Sequence, residues 1–173
     1  DLASRLNIES GFVTCNGEDN GVLSATVTGG LGNYQYELLD SSGGIFRPIQ
    51  DSNMFSNLPI GIYSIRVYST NGNGDVCNVE TVTHEIVQPE VLTVAETHTH
   101  VSCNGGTDGT ITINAGGGNG GYEYNISPIF DPNKFVDYNV FEDLPPGDYV
   151  ITVKDSVGCY DVIQVTIAEP TAV

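Results

Sequence analysis

The stretch Val13-Thr14-Cys15-Asn16-Gly17-Glu18-Asp19-Asn20-Gly21 returns 88 positions later as Val101-Ser102-Cys103-Asn104-Gly105-Gly106-Thr107-Asp108-Gly109. The same offset carries Gly29-Gly30 onto Gly117-Gly118, and Tyr34-x-Tyr36 onto Tyr122-x-Tyr124. An internal repeat of this period restricts the chain to two copies of one module, each of a size that folds alone. Pro89 and Pro170 close the two copies. Proline cannot donate to a strand ladder, so it punctuates a module boundary. The expected domains are residues 1–89 and 90–173.

No stretch keeps a helical period. Leu23, Ala25 and Val27 alternate with Ser24 and Thr26, and Ile111, Ile113 and Ala115 alternate with Thr110 and Thr112. Period-two alternation makes a half-buried antiparallel strand. The same pattern recurs in Tyr34, Tyr36, Leu38 and in Tyr122, Tyr124, Ile126. It appears again in Tyr63, Ile65, Val67 and in Tyr149, Ile151, Val153 after the matched Leu-Pro-x-Gly-x-Tyr segments. Gly and Asn turns separate the runs. The turn-rich stretches 40–53 and 125–134 are read as the variable middle. The fold class is all-β: two tandem immunoglobulin-like β-sandwich domains with about six core strands each.

The four cysteines fall as one pair per copy, Cys15 with Cys77 and Cys103 with Cys159, 62 and 56 residues apart. No Cys-x-x-Cys knuckle suggests zinc. One intradomain disulfide per module is expected, with free core thiols as the plain alternative. Such a bridge would contribute about 4 kcal/mol in the chain-entropy model. It would also require that an even number of strands separate the two cysteine loops; a seven-strand order would put five between them. Stable disulfides place the chain in an oxidising, extracellular setting.

The net charge of −17 disfavours nucleic acid and anionic membrane surfaces as partners. No run is apolar enough for a membrane helix. With no signal peptide at its start, the chain is expected to be a mature or excised piece, with a further strand after Pro170.

Together the Cys-Asn-Gly-x-x-Asp/Asn-Gly loop, the Gly-Gly-x-Gly-x-Tyr-x-Tyr segment, Leu-Pro-x-Gly-x-Tyr, a second cysteine and a closing Glu/Gln-Pro resemble the SprB repeat. These repeats occur in tandem in very long surface adhesins of Bacteroidota, gliding-motility adhesins among them. Copy two matches more closely, through Asp108-Gly109 and Asp155-x-x-Gly158-Cys159; copy one departs at Asn20 and in its longer hairpin, Asn71 to Val76. The resemblance implies a secreted cell-surface adhesin or filament module, carried across the outer membrane by type IX secretion. It implies no enzyme.

Calcium is the sharpest candidate ligand. If the disulfides form, Asp108 and Asp155 meet at one end of module two, and Asp19, Asn20 and Asp75 at one end of module one. Ca²⁺ takes six to eight oxygens, while the alternative is that these residues only form turns. Asp155-Ser156-Val157 is similar to the Asp-Ser/Thr-apolar acceptor of Bacteroidota O-glycosylation, which makes Ser156 a candidate glycan site. Gly116-x-Gly118-x-x-Gly121 has the dinucleotide spacing, but a strand follows where a helix is needed. The tyrosine pairs point inward as core rather than outward as a sugar platform. His98 and His100 share a strand face without a third metal ligand.

The expected function is therefore that of non-catalytic stalk modules in a surface adhesin serving attachment or gliding motility. Their partners would be neighbouring repeats of the same long protein. The alternatives are a filament subunit assembled by strand complementation with other copies, or a carbohydrate-binding module for surface polysaccharide. Stalk and filament differ in whether Asp1 to Ser10 pairs within its own domain or in another copy. No cofactor is expected beyond structural calcium.

Overall fold

The computed structural model describes residues 6–71, 73–80 and 83–172. The chain divides into two units, Asp1–Gln88 and Pro89–Val173.

Unit 1 holds β1 (Leu6–Gly11), β2 (Gly21–Val27), β3 (Tyr34–Asp40), β4 (Ile45–Gln50), β5 (Met54–Leu58), β6 (Gly61–Thr70), β7 (Val76–Glu80) and β8 (His84–Ile86). One sheet runs β1-β2-β5. The other runs β4-β3-β6-β7, with β8 also pairing β6. The alternating positions face inward between the sheets. Leu23 and Ala25 of β2 and Phe55 and Leu58 of β5 meet Tyr36 and Leu38 of β3 and Tyr63, Ile65 and Val67 of β6. Each large side chain buried this way contributes roughly 1.5–3 kcal/mol. Strand β1 pairs with β2 in an unbroken antiparallel register from Leu6↔Val27 to Gly11↔Val22. Residues 1–5 of the discriminating segment lie outside the described residues; the rest of its backbone pairs inside its own unit.

Unit 2 holds β9 (Glu90–Thr99), β10 (Gly109–Gly118), β11 (Glu123–Ser127), β12 (Val140–Leu144), β13 (Gly147–Lys154) and β14 (Tyr160–Ile167). Its sheets run β12-β10-β9 and β11-β13-β14. The core repeats that of unit 1: Ile111, Ile113, Tyr124, Ile126, Phe141, Leu144, Tyr149, Ile151 and Val153 close together. Where unit 1 has β4, unit 2 has the single bridge Tyr124↔Val136, with both of its backbone hydrogen bonds formed at 2.8 and 2.9 Å. Asn125 secures this segment by donating from Nδ2 to the carbonyls of Asp131 and Lys134, both at 2.8 Å.

The repeated loop ends in a glycine for a steric reason. A Cβ on Gly21 would lie 2.7 Å from Ile86 Cγ2 and 2.8 Å from the Leu58 carbonyl. One on Gly109 would lie 2.8 Å from the Leu144 carbonyl and 2.9 Å from Ile167 Cγ2. Both glycines sit at a bulge against β5 or β12. Asn57 and Asp143, just inside those partner strands, take left-handed φ of 53° and 56°. Asn and Asp tolerate that conformation better than other side chains.

The middle of unit 1 corrects the expected strand count. Residues 45–50 form β4, so five strands, β2 to β6, lie between Cys15 and Cys77. In unit 2 the bridged segment restores the same count between Cys103 and Cys159. An odd count sends the two cysteine loops to opposite ends of a sandwich.

Candidate functional site at the module ends

Each unit has a head end, where the chain comes in, and a tail end, where it leaves. The Cys-Asn-Gly loop is built at the tail end. In unit 1 the Thr14 amide donates to Asn20 Oδ1 at 3.0 Å, and the Thr14 hydroxyl donates to Glu18 Oε2 at 2.8 Å. The amide of Gly17 donates to Gln88 Oε1 at 2.9 Å, and that of Val13 to the Val87 carbonyl at 3.0 Å. Unit 2 repeats the frame. Ser102 N donates to Asp108 Oδ1 at 2.9 Å, Gly105 N to Glu169 Oε2 at 2.8 Å, and Val101 N to the Ala168 carbonyl at 3.2 Å. Hydrogen bonds from Ser102 hold the Asp108 carboxyl below the usual aspartate range. Gln88 and Glu169, the residues before the closing prolines, are therefore structural parts of the loop. The one signal for them in the sequence was their repetition beside those prolines.

The second cysteine lies at the head end. In unit 2 the amide and the side-chain Nδ2 of Asn119, just past β10, both donate to Asp155 Oδ2 at 2.9 Å. Val157 N and Cys159 N donate to Asp155 Oδ1 at 3.0 and 2.9 Å. Asp155 is 1% exposed. Burial pushes its carboxyl up, but the hydrogen bonds from Asn119, Cys159 and Val157 outweigh that and hold it below the usual range. Unit 1 uses Ser69 here, opposite Cys77 in the β6–β7 register. Its hydroxyl accepts from Leu31 N at 2.8 Å and donates to the Gly32 carbonyl at 3.0 Å.

The expected intradomain bridges are corrected by this placement. Cys77 and Cys103 are exposed free thiols, whereas Cys15 and Cys159 are half-cystines. Neither Cys15–Cys77 nor Cys103–Cys159 is formed. Strand β10 runs from the Cys103 loop to Asn119, beside Cys159. At about 3.3 Å per residue its ten residues span roughly 30 Å. A disulfide needs Cα atoms within about 7 Å.

The calcium grouping depended on those bridges and does not assemble. Asp108 is at the tail end of unit 2 and Asp155 at the head end; Asp19 and Asn20 are likewise apart from Asp75. Asp75 closes a turn instead, where Asn71 Nδ2 donates to its Oδ2 at 2.7 Å and its amide donates to Asn71 Oδ1 at 3.0 Å. Among the described residues, no three His, Cys, Asp or Glu side chains group closely enough to hold a metal. Ser156 is exposed on the β13–β14 turn, its hydroxyl 3.3 Å from the Asn119 carbonyl.

The paired tyrosines and the tyrosines of the Leu-Pro-x-Gly-x-Tyr segments act in the core and its corners, whereas Tyr138 and Tyr160 are exposed. Tyr36 and Tyr124 are buried, and burial raises both phenols. Tyr34 and Tyr122 donate their hydroxyls to the carbonyls of Gly29 and Gly117, closing the glycine turns. Tyr63 and Tyr149 donate to the carbonyls of Pro59 and Pro145 at 3.1 and 2.6 Å, which explains the proline-to-tyrosine spacing. His98 pairs with Glu96 at 2.9 Å, while His100 Nδ1 accepts from Ala168 N at 3.1 Å. The described residues include no helix long and apolar enough to cross a membrane.

Residues 13–43 and 95–129 match the SprB repeat family. No curated protein matches the chain. Three N-terminal domains of the Highly Immunogenic Outer Capsid protein (Hoc) of bacteriophage RB49 are similar at a TM-score of 0.56 and 16% identity, over 94% of this chain. The C-terminal 282-residue fragment of intimin, solved with the intimin-binding domain of the translocated intimin receptor, is similar at a TM-score of 0.46 and 16% identity, over 94% of this chain. The fibronectin(III)-like modules of Clostridium thermocellum CbhA follow at a TM-score of 0.40 and 12% identity, over 95% of this chain and 94% of that one. This chain spans 57% of the Hoc fragment and 62% of the intimin fragment. The Hoc likeness bears on fold alone and agrees with an all-β chain of sandwich units.

Proposed function

We propose that this chain, which contains two SprB repeats, is a pair of non-catalytic stalk modules of a secreted, cell-surface adhesin. The observation that carries the reading is the backbone pairing of β1 with β2 of its own unit, from Leu6 to Gly11. A subunit that completes its neighbour by strand donation would leave that place open for another chain. Each unit also closes its own core, and the two least exposed polar side chains among the described residues, Ser69 and Asp155, are taken up in hydrogen bonds to backbone loops. In a stalk the modules would act by being stiff and acidic, projecting a binding region away from an outer membrane. Their neighbours would be further repeats of the same protein.

Sedimentation velocity in reducing buffer tests the reading. A monomer across a hundredfold range of concentration is expected. Oligomers that grow with concentration under reduction would favour the filament, and binding on a glycan array would favour the carbohydrate module.

A further inference from the structure

Every module carries one cysteine at each end. At the tail end Cys15 is a half-cystine and its repeat equivalent Cys103 is an exposed free thiol. At the head end Cys159 is a half-cystine and Cys77 is an exposed free thiol. The equivalence is structural as well as sequential. Cys15 and Cys103 sit in loops braced by the same pair of contacts, Gly17 N to Gln88 Oε1 and Gly105 N to Glu169 Oε2. Cys77 and Cys159 sit opposite Ser69 and Asp155, the buried residues that latch the loop after β2 or β10. Each cysteine position of the module is thus a bonded position in one of its two copies. Closure within a module is ruled out by the length of the sandwich.

We propose that Cys103 and Cys77 are the open terminals of a head-to-tail disulfide series. Cys103 bonds the head-end cysteine of another module of this kind, and Cys77 bonds the tail-end cysteine of another. In each step two thiols give up two protons and two electrons to a disulfide oxidant such as oxidised glutathione, which leaves as two thiols. Because the joined ends differ, the contact is heterologous and the product is an open chain rather than a closed pair. The inference rests on module geometry and not on the stalk reading, so either can fail without the other.

The test uses two variants of the full chain, Cys77→Ser and Cys103→Ser, each keeping one exposed thiol. Both sites are exposed, so neither change opens the core. Each variant alone, and an equimolar mixture, is oxidised in a glutathione buffer and run without reductant. The mixture is expected to give a covalent dimer several-fold more abundant than either homodimer, and the unmodified chain a ladder. Cleavage at glutamate separates the two cysteines, since Glu80, Glu85, Glu90 and Glu96 lie between them. The map is expected to show Cys77 joined to Cys103. Homodimers as abundant as the mixed dimer would overturn the proposal. So would Cys77 joined to Cys15, Cys103 joined to Cys159, or a mixture in which both thiols end capped by glutathione.

Discussion

Unit 1 and unit 2 fasten the same head-end loop with different chemistry. Unit 1 uses the Ser69 hydroxyl, fully buried, with one hydrogen bond accepted and one donated. Unit 2 uses the Asp155 carboxylate, 1% exposed, which accepts four. Hydrogen bonds to a charged group are about twice as strong as neutral ones, and a buried charge is tolerated only when so satisfied. The same fold therefore has a neutral latch in one copy and an ionised latch in the other. The hairpins differ to match. In unit 1 the pair Thr70↔Val76 extends the ladder beyond Ser69↔Cys77 and the turn moves outward to Asn71, whereas in unit 2 the pairing ends where the Asp155 amide donates to the Cys159 carbonyl at 2.8 Å. In unit 2 the carboxylate organises that turn directly.

Removing each latch gives the largest expected contrast. Asp155→Ala should destabilise unit 2 by about 3 kcal/mol, because it strands several buried donors, whereas Ser69→Ala should cost unit 1 about 1 kcal/mol. Amide exchange of β13 against β6 in the full chain reads each unit separately. Equal losses would break the comparison. Gly21→Ala and Gly109→Ala should instead cost the two units alike, about 2 kcal/mol each, since both added methyls press on a carbonyl and an isoleucine. Unequal losses would mean that one loop can give way and the other cannot.

The smallest effect is set by pH. The Asp155 carboxyl lies below its ordinary range in the folded chain. Its contribution is complete above the unfolded aspartate value, about 3.9, and is lost as pH falls through the lower folded value. Protection of the Asn119 amide should therefore decline below about pH 4, ahead of protection at Leu31, whose acceptor Ser69 does not titrate. Parallel decline of the two amides would remove the distinction between the latches.

The core was legible because alternation is local: Leu23 and Ala25, Tyr63 to Val67, and their repeat equivalents all point inward as their pattern requires. The turn at the end of the repeated loop was legible too, though the reason for its glycine, contact with Ile86 or Ile167, was not. Strand β4 is hidden in the sequence for a physical reason. It is an edge strand in which Arg47 and Pro48 interrupt the apolar pattern, and an edge is where proline is tolerated. Missing that one strand changed the parity of the count, joined cysteines that lie at opposite ends, and drew Asp108 toward Asp155. The latches themselves depend on partners far away in the chain, such as Gly17 with Gln88 and Asn119 with Asp155. No local pattern reports such contacts.

The stalk reading stands on β1. Amide exchange across Leu6–Gly11, measured on the reduced chain at dilutions where it is monomeric, tests it most directly. The hydrogen-bonded amides of β1 should be as protected as those of β2, at a level independent of concentration. Exchange at the unprotected rate in the monomer, with protection gained only as concentration rises, would contradict it and make the strand one that pairs with another copy.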